Sequence, residues 1–340
     1  MVATTKAAAA ILRAGSWRDK GSTTSEPDKT REGHPMRVLL LFLSRIEGIS
    51  LVLHELNEFM TDELQRKVDR AVKLIQAAGK VAKEHGQPLE ICYSGGKDSD
   101  VILELARMSG VEYRAIYKNT TIDPPGTIKH VRDNGVEVLQ PKENFRQIVE
   151  RKGLPSRMRL HCCDILKEYK VLPYAVIGVR RDESSTRAEY AEPTVCREYK
   201  KDDCAELYMP LLDFTAQDIT DFITERGIKC HPLYYDEDGT FHVERRLGCI
   251  GCPLAYKKHR IEEFKQYPGM VRLYVKAAQK FLDEHPESHT LVNFKDAVEW
   301  FTFTLYCDTM EEWRDKFGPT LFDNGIDCHK HLSELFGIDL

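Results

Sequence analysis

One stretch of the sequence combines glycines, hydroxyl groups and a lysine in an order suited to binding an anion, namely Ser94-Gly95-Gly96-Lys97-Asp98-Ser99. It follows a short apolar segment, residues 89–93, and precedes apolar side chains at helical spacing. Adjacent glycines let the backbone approach a ligand closely, and the first amides of a helix are unsatisfied donors. The pattern predicts a phosphate site at a helix N-terminus. Its spacing is not that of a Walker A loop, and the alternative is an ordinary glycine turn that caps a helix.

A second group of anion-binding side chains follows another apolar segment, residues 174–179. Arg180, Arg181 and Arg187 occur within eight residues, together with hydroxyl groups at positions 184–186. Guanidinium groups suit the paired oxygens of a sulfate or phosphate. The segment therefore predicts a second oxyanion contact, with a solvated charged turn as the alternative.

Four of the ten cysteines form two close pairs, the adjacent Cys162-Cys163 and the Cys-x-x-Cys of Cys249 and Cys252. Four thiolates suit either a zinc ion or a [4Fe–4S] cluster, and their spacing does not decide between the two. Such pairs indicate metal chemistry in a reducing compartment rather than a secreted disulfide framework. By default, the remaining cysteines are small buried apolar residues: Cys92, Cys196, Cys204, Cys230, Cys307 and Cys328.

An α/β fold would position these groups. Strands are predicted at residues 89–93, 113–117, 136–139 and 174–179, alternating with helices, which favours a Rossmann-like parallel sheet with helices on both faces. Ligands of such sheets bind beyond the carboxyl ends of the strands, where Ser94–Ser99 and Asn119–Asp123 lie. A helix is predicted from residue 61 to 84, and a second begins at Thr215 with a capping box and ends at Gly227. A helical region follows at about 258–316, interrupted by Pro268.

Composition limits the remaining possibilities. The 340 residues are 42% hydrophobic and 30% charged with a net charge of −5, which is typical of an ordinary soluble chain without a general nucleic-acid footprint. No apolar run reaches the ~18–20 residues of a membrane span, so we expect a cytoplasmic protein without membrane contact. The expected organisation is a disordered or helical extension (1–59), a nucleotide-binding domain (60–256) and a helical C-terminal region (257–340).

The loop, the arginine segment and the cysteine pairs together resemble the phosphoadenylyl-sulfate/adenylyl-sulfate reductase family of the adenine-nucleotide alpha-hydrolase superfamily. The resemblance covers roughly residues 60–260. It implies that an adenine nucleotide (adenylyl sulfate, its 3′-phospho form or ATP) binds at Ser94–Ser99, with Asn119, Thr120 and Asp123 as secondary contacts. It implies that Lys97, Arg180, Arg181 and Arg187 contact the phosphosulfate. The four paired cysteines would then hold a [4Fe–4S] cluster, with zinc as the alternative.

The same resemblance implies a nucleophile near the C-terminus. In these reductases a cysteine within a Glu-Cys-Gly-Leu/Ile-His string attacks the sulfur, and thioredoxin or glutaredoxin then reduces the intermediate and frees sulfite. The nearest equivalent is Cys328, which an acid precedes and which His329 and Lys330 follow. These cationic neighbours would lower the thiol pKa, but the glycine after the cysteine is missing.

Three functions follow from these patterns. The leading hypothesis is thiol-dependent reduction of adenylyl sulfate or its 3′-phospho form to sulfite. The second is an ATP-dependent sulfurtransferase that adenylylates a nucleic acid or a small molecule. The third is a non-catalytic nucleotide-binding module. The sequence leaves open whether the chain forms a homo-oligomer.

Overall fold

A computed structural model describes residues 50–169, 172–183, 185–190, 194–198, 204–319 and 325–340. Most of the expected N-terminal extension, residues 1–49, and the hydroxyl residue at position 184 lie outside these ranges. The first described helix, α1 (Ser50–Glu84), begins earlier than the predicted residue 61. None of the described helices is both long enough and apolar enough to cross a membrane.

Six strands of the described residues form one sheet in the order β3-β2-β1-β4-β6-β5. All neighbouring strands are parallel except β5 and β6, which pair antiparallel. The result confirms the predicted Rossmann-like α/β fold. The strands are β1 (Leu89–Tyr93), β2 (Tyr113–Lys118), β3 (Glu137–Leu139), β4 (Tyr174–Val176), β5 (Thr194–Glu198) and β6 (Cys204–Tyr208).

The last two strands were not predicted from the sequence, and β4 is shorter than expected. The β5 sequence, Thr-Val-Cys-Arg-Glu, is short and half polar, and it pairs with β6 alone at the edge of the sheet. An edge strand needs no continuous apolar run. Its strand character therefore comes from the hairpin that it forms with β6.

Short helices follow the strands. The helix after β6, α7, begins at Thr215, where the Thr215 and Asp218 side chains form the predicted capping box, and it ends at Gly227 as predicted. Leu89 and Ile91 of β1 pack with residues of α1, α2 and α7. The helices of this part are α2 (Lys97–Ser109), α3 (Thr127–Asp133), α4 (Phe145–Lys152), α5 (His161–Leu166), α6 (Ser185–Ala188) and α7 (Ala216–Arg226).

The remaining helices confirm the predicted C-terminal helical region. Pro268 occupies the first turn of a new helix, where its missing N–H costs nothing, so it separates two helices as expected. Their apolar faces share one core with Phe145 and Ile148 of α4 and with Ile250 of the Cys-x-x-Cys segment. These helices are α8 (Lys257–Gln266), α9 (Pro268–Glu284), α10 (Thr290–Asn293), α11 (Ala297–Tyr306), α12 (Met310–Phe317) and α13 (Cys328–Phe336).

Candidate functional site

The predicted phosphate loop joins β1 to the N-terminus of α2. Gly95 has a φ of +80°, and a Cβ atom there would lie 3.2 Å from side-chain carbons of Leu247 and Thr127. Gly96 is the N-cap of α2 and provides no side-chain cap. Because the loop has no side chains at these two positions, its backbone is open to a close approach by a ligand.

The hydroxyl groups of the loop form a small network. Ser99 Oγ donates a hydrogen bond to the Gly96 carbonyl (2.7 Å) and lies 3.3 Å from Ser94 Oγ. Lys97 is buried, with its Nζ 3.1 Å from the Asp98 carboxylate and 5.4 Å from the centroid of the Tyr234 ring. The lysine charge therefore lies beneath the loop and is partly balanced by Asp98.

Of the three predicted arginines, the structure brings Arg180 to the loop. Arg180 is 5% exposed, and its Nε donates to Asp98 Oδ1 at 2.7 Å. Burial opposes its charge, but Asp98 and Asp182 raise the pKa of Arg180 above its ordinary value. Arg180 therefore acts on the loop through the carboxylate of Asp98.

The other two arginines pair with carboxylates elsewhere. Arg181 bonds to Asp213 and donates to the Tyr190 carbonyl at 2.8 Å. Arg187 bonds to Glu183, one helical turn earlier. A direct contact of either guanidinium with a phosphosulfate stays a prediction.

A cavity, here called the loop cavity, lies against one face of β1 and β2. Side chains alternate across a strand, so residues 90, 92 and 94 face it together with 116, 118 and 120. The loop cavity is lined by Glu90, Cys92, Ser94, Ile116, Lys118, Thr120, Asp123 and Lys167, among others. The phosphate loop, at Ser94, therefore opens into a space with charged walls.

Two of these charged groups, Glu90 and Lys118, were not predicted as site residues. The Glu90 side chain is fully buried, accepts a hydrogen bond from the Leu172 amide at 2.8 Å and lies 3.6 Å from Lys118 Nζ. A carboxylate within an otherwise apolar strand is the signal that could have revealed them, because buried charges are normally paired.

The secondary nucleotide contacts differ in their placement. Asp123 lines the loop cavity and accepts a hydrogen bond from Tyr117. Asn119 instead donates to the Gln140 side chain (2.9 Å) and accepts from the Thr121 amide. Its side chain therefore shapes the turn after β2.

The four paired cysteines, Cys162, Cys163, Cys249 and Cys252, line one cavity, here called the thiol cavity. Thr120 and Lys167 line both this cavity and the loop cavity. Burial opposes the Lys167 charge, but Cys249 and Asp123 raise the pKa of Lys167 above its usual range. A cation therefore lies between the thiols and the phosphate loop.

The Cys-x-x-Cys turn is fixed on several sides. Gly251 has a φ of +73°, and its N–H donates to Glu263 Oε2 at 2.9 Å. The Ile250 carbonyl accepts from the Tyr274 hydroxyl at 2.7 Å, and the Pro253 carbonyl accepts from Arg157 Nε at 3.1 Å. These contacts hold the turn in one conformation without using a thiol.

The thiols influence one another. Cys162 donates to Cys163, which lowers the pKa of Cys163 and raises that of Cys162, and the charge of Lys167 lowers the pKa of Cys163 further. Burial raises the pKa of Cys249 to about 12. Four soft sulfur ligands around one cavity, with a cation beside them, are a donor set that fits a thiolate-bound metal group.

Residues 88–255, which include the loop, Arg180 and all four paired cysteines, match the model of the phosphoadenosine phosphosulfate reductase domain family. The similarity to this family is carried by those residues. Its sheet and loop are those of an adenine-nucleotide alpha-hydrolase-like fold.

Individual relatives of the reductase domain are distant. The uncharacterized protein MJ0973 of Methanocaldococcus jannaschii is 26% identical over 235 residues, covering 65% of this chain and 54% of that protein, so the chain spans about half of its length. A phosphoadenylyl-sulfate reductase from Candida auris, solved with phosphate, has 18% identity, a TM-score of 0.38 and coverage of 54% of this chain and 93% of that one. A Candida glabrata FMN adenylyltransferase has 14% identity and a TM-score of 0.38, with coverage of 63% of this chain and 68% of that one.

The predicted nucleophile, Cys328, lies beyond the matched reductase domain. It is the first residue of α13, is 4% exposed and belongs to the core of the C-terminal helices. Burial raises the pKa of Cys328 to about 11. An attacking thiol must be accessible and ionised, so this position disfavours the predicted role.

Proposed function

We propose that this chain reduces adenylyl sulfate or its 3′-phospho form to sulfite with thiols as the reductant. The observation that supports the proposal is the sharing of Thr120 and Lys167 by the loop cavity and the thiol cavity. A nucleotide whose phosphate lies on Ser94–Ser99 would point its sulfuryl group towards this shared wall. The match of residues 88–255 to the phosphoadenosine phosphosulfate reductase domain family supports the same substrate class.

Each group of the site would have a defined task. The loop amides and the Ser94 hydroxyl would bind the phosphate oxygens, and Arg180 would hold Asp98 away from the anion. Lys167 would stabilise the negative charge that develops as the nucleotide leaves. Lys97 would add positive potential from beneath the loop.

The reaction needs one cysteine thiolate of the enzyme and two thiols of the reductant. A thiolate attacks the sulfur, the bond between that sulfur and the bridging phosphate oxygen breaks, and AMP or its 3′-phospho form leaves with the bond electrons. The cysteine then carries an S-sulfonate. A thiol of thioredoxin or glutaredoxin attacks the cysteine sulfur of this intermediate, sulfite leaves, and the resulting disulfide is reduced by the second thiol of the reductant.

We further propose that Cys162, Cys163, Cys249 and Cys252 hold a [4Fe–4S] cluster. A single zinc ion draws its sulfur ligands to about 2.3 Å from one point. Among the described side chains, no three potential ligands are grouped closely enough to hold a metal ion in this way. In a cluster each cysteine binds a different iron, so the sulfurs stand around a larger core. The bound cluster would supply a fixed negative charge and redox chemistry beside Lys167.

The burial of Cys328 favours a second candidate, an ATP-dependent sulfurtransferase. Such an enzyme needs no nucleophile in the C-terminal segment. An acceptor oxygen attacks the α-phosphate of ATP at the same loop, and pyrophosphate leaves. A sulfide donor then displaces AMP and leaves sulfur on the acceptor. With a persulfide donor, the terminal sulfur displaces AMP, and a second thiol attacks the donor sulfur, which releases the acceptor thiol and forms a disulfide.

Product analysis separates the candidates. The full chain is purified without oxygen and given adenylyl sulfate or its 3′-phospho form with thioredoxin, and sulfite is measured. Sulfite that disappears in Cys328→Ser would assign the nucleophile to Cys328, and sulfite that persists would assign it elsewhere. A cluster-loaded protein that forms no sulfite would refute the reductase. Pyrophosphate release from ATP would then support the transferase, whereas nucleotide binding without either product would indicate a non-catalytic module.

A further inference from the structure

Three buried side-chain polar atoms of the described residues lack a hydrogen-bond partner: His161 Nε2, the Tyr169 hydroxyl and Arg260 Nε. Buried polar atoms are nearly always paired, so each exception calls for an explanation. Two of the three residues are neighbours of the paired cysteines. His161 precedes Cys162 in the chain, and the charge of Arg260 interacts with the Cys252 thiol.

Arg260 is held beside the Cys-x-x-Cys turn by its helix. Arg260, Glu263 and Phe264 lie one turn apart on the same face of α8. Glu263 accepts the Gly251 amide, and the Phe264 ring lies where a Gly251 side chain would be. Arg260 Nη1 donates to the Thr304 carbonyl at 2.6 Å, which fixes the guanidinium group.

The charge of Arg260 lacks an anionic partner at close range. Its side chain is 5% exposed, and among the described residues no carboxylate lies within ion-pair distance of it. The nearby Glu263 carboxylate instead bonds to the Gly251 amide. A buried cation without a counter-charge is strongly unfavourable. The fold therefore places a buried positive charge that no carboxylate of the described residues contacts directly, and Glu263 attracts it only from a greater distance.

We propose that Arg260 is a positioning residue that donates a hydrogen bond from Nε to a sulfur atom of the metal group held by the four cysteines. This inference rests on the metal group of the proposed function. Four thiolates give that group net negative charge, which would balance the guanidinium. Hydrogen bonds to the sulfur atoms of such groups raise their reduction potential and slow the loss of metal.

The test compares Arg260→Met with Arg272→Met, which removes an exposed arginine of the neighbouring α9. Both full-length variants and the native chain are loaded anaerobically with ferrous iron and sulfide. Iron loss to a chelator and the midpoint potential are then measured. We expect Arg260→Met to lose iron at least tenfold faster and to have a more negative potential, whereas Arg272→Met should match the native chain.

The stability of the metal-free protein provides a second measurement. The substitution is expected to weaken iron retention but not to lower the stability of the metal-free protein. Removing an unpaired buried charge should leave metal-free Arg260→Met as stable as the native chain or more stable. A purely structural role would instead lower its unfolding midpoint and leave the potential unchanged. If Arg260→Met does not fold, Arg260→Lys, which keeps the charge and loses the Nε donor, should still lose iron faster.

The failures of the two proposals are distinguishable. A native chain that binds neither iron with sulfide nor zinc overturns the metal group and this inference together. A native chain that loads normally, with Arg260 variants whose iron loss and potential match those of Arg272→Met, overturns the role of Arg260 alone.

Discussion

Replacing Gly251 with alanine would test how the Cys-x-x-Cys turn is held. The positive φ of +73° costs a side chain about 1–2 kcal/mol. The new Cβ would also lie 2.2 Å from a ring carbon of Phe264. Phe264 is fully buried and packs at 5.3 Å between ring centroids against both Tyr274 and Phe301, so it has little room to move. Overpacking of this kind costs about 1–3 kcal/mol, which gives a total of about 2–5 kcal/mol.

Gly239 supplies a matched control. Its φ is +85°, and no atom lies within 4 Å of a Cβ placed there. Gly239→Ala therefore costs only the backbone strain, about 1–2 kcal/mol. Urea denaturation of the metal-free proteins measures both variants under the same conditions. Equal losses of stability in Gly251→Ala and Gly239→Ala would refute the packing of the turn against Phe264, whereas an excess of about 1–3 kcal/mol in Gly251→Ala would support it.

Three further outcomes are expected. Lys167→Met should lower kcat/KM for sulfite release about a hundredfold; Lys142→Met, which removes an exposed lysine elsewhere, is the activity control. Arg180→Gln should lower the unfolding free energy in urea by about 3 kcal/mol, because it leaves the Asp98 carboxylate without its guanidinium. Burial raises the folded-state pKa of Cys328 to about 11, above the ordinary thiol pKa of 9.0. The contribution of the protonated Cys328 thiol to the free energy of unfolding is therefore complete below pH 9.0 and is lost as the pH rises towards 11. Cys328→Ala should show a smaller loss of unfolding free energy than the native chain over that interval.

Features encoded by neighbouring residues were predictable from the sequence. The Thr215–Asp218 capping box depends on residues three positions apart, and the structure has it as predicted. The helix break at Pro268 depends on one missing N–H. The β5 and β6 strands were not predicted, because they are defined by their antiparallel pairing with each other and not by an apolar composition. Local patterns therefore sufficed where the hydrogen-bond partners are local.

Contacts between distant residues were not predictable in the same way. Three arginines near one strand end indicate an anion site by composition alone. The structure shows that the partner of Arg180 is Asp98, 82 positions earlier and inside the phosphate loop. A guanidinium bound to a loop carboxylate removes the negative charge that would otherwise repel a phosphate bound at the loop amides. Arg180 would thus favour anion binding without touching the ligand, and this role depends on a pairing that only the folded chain creates.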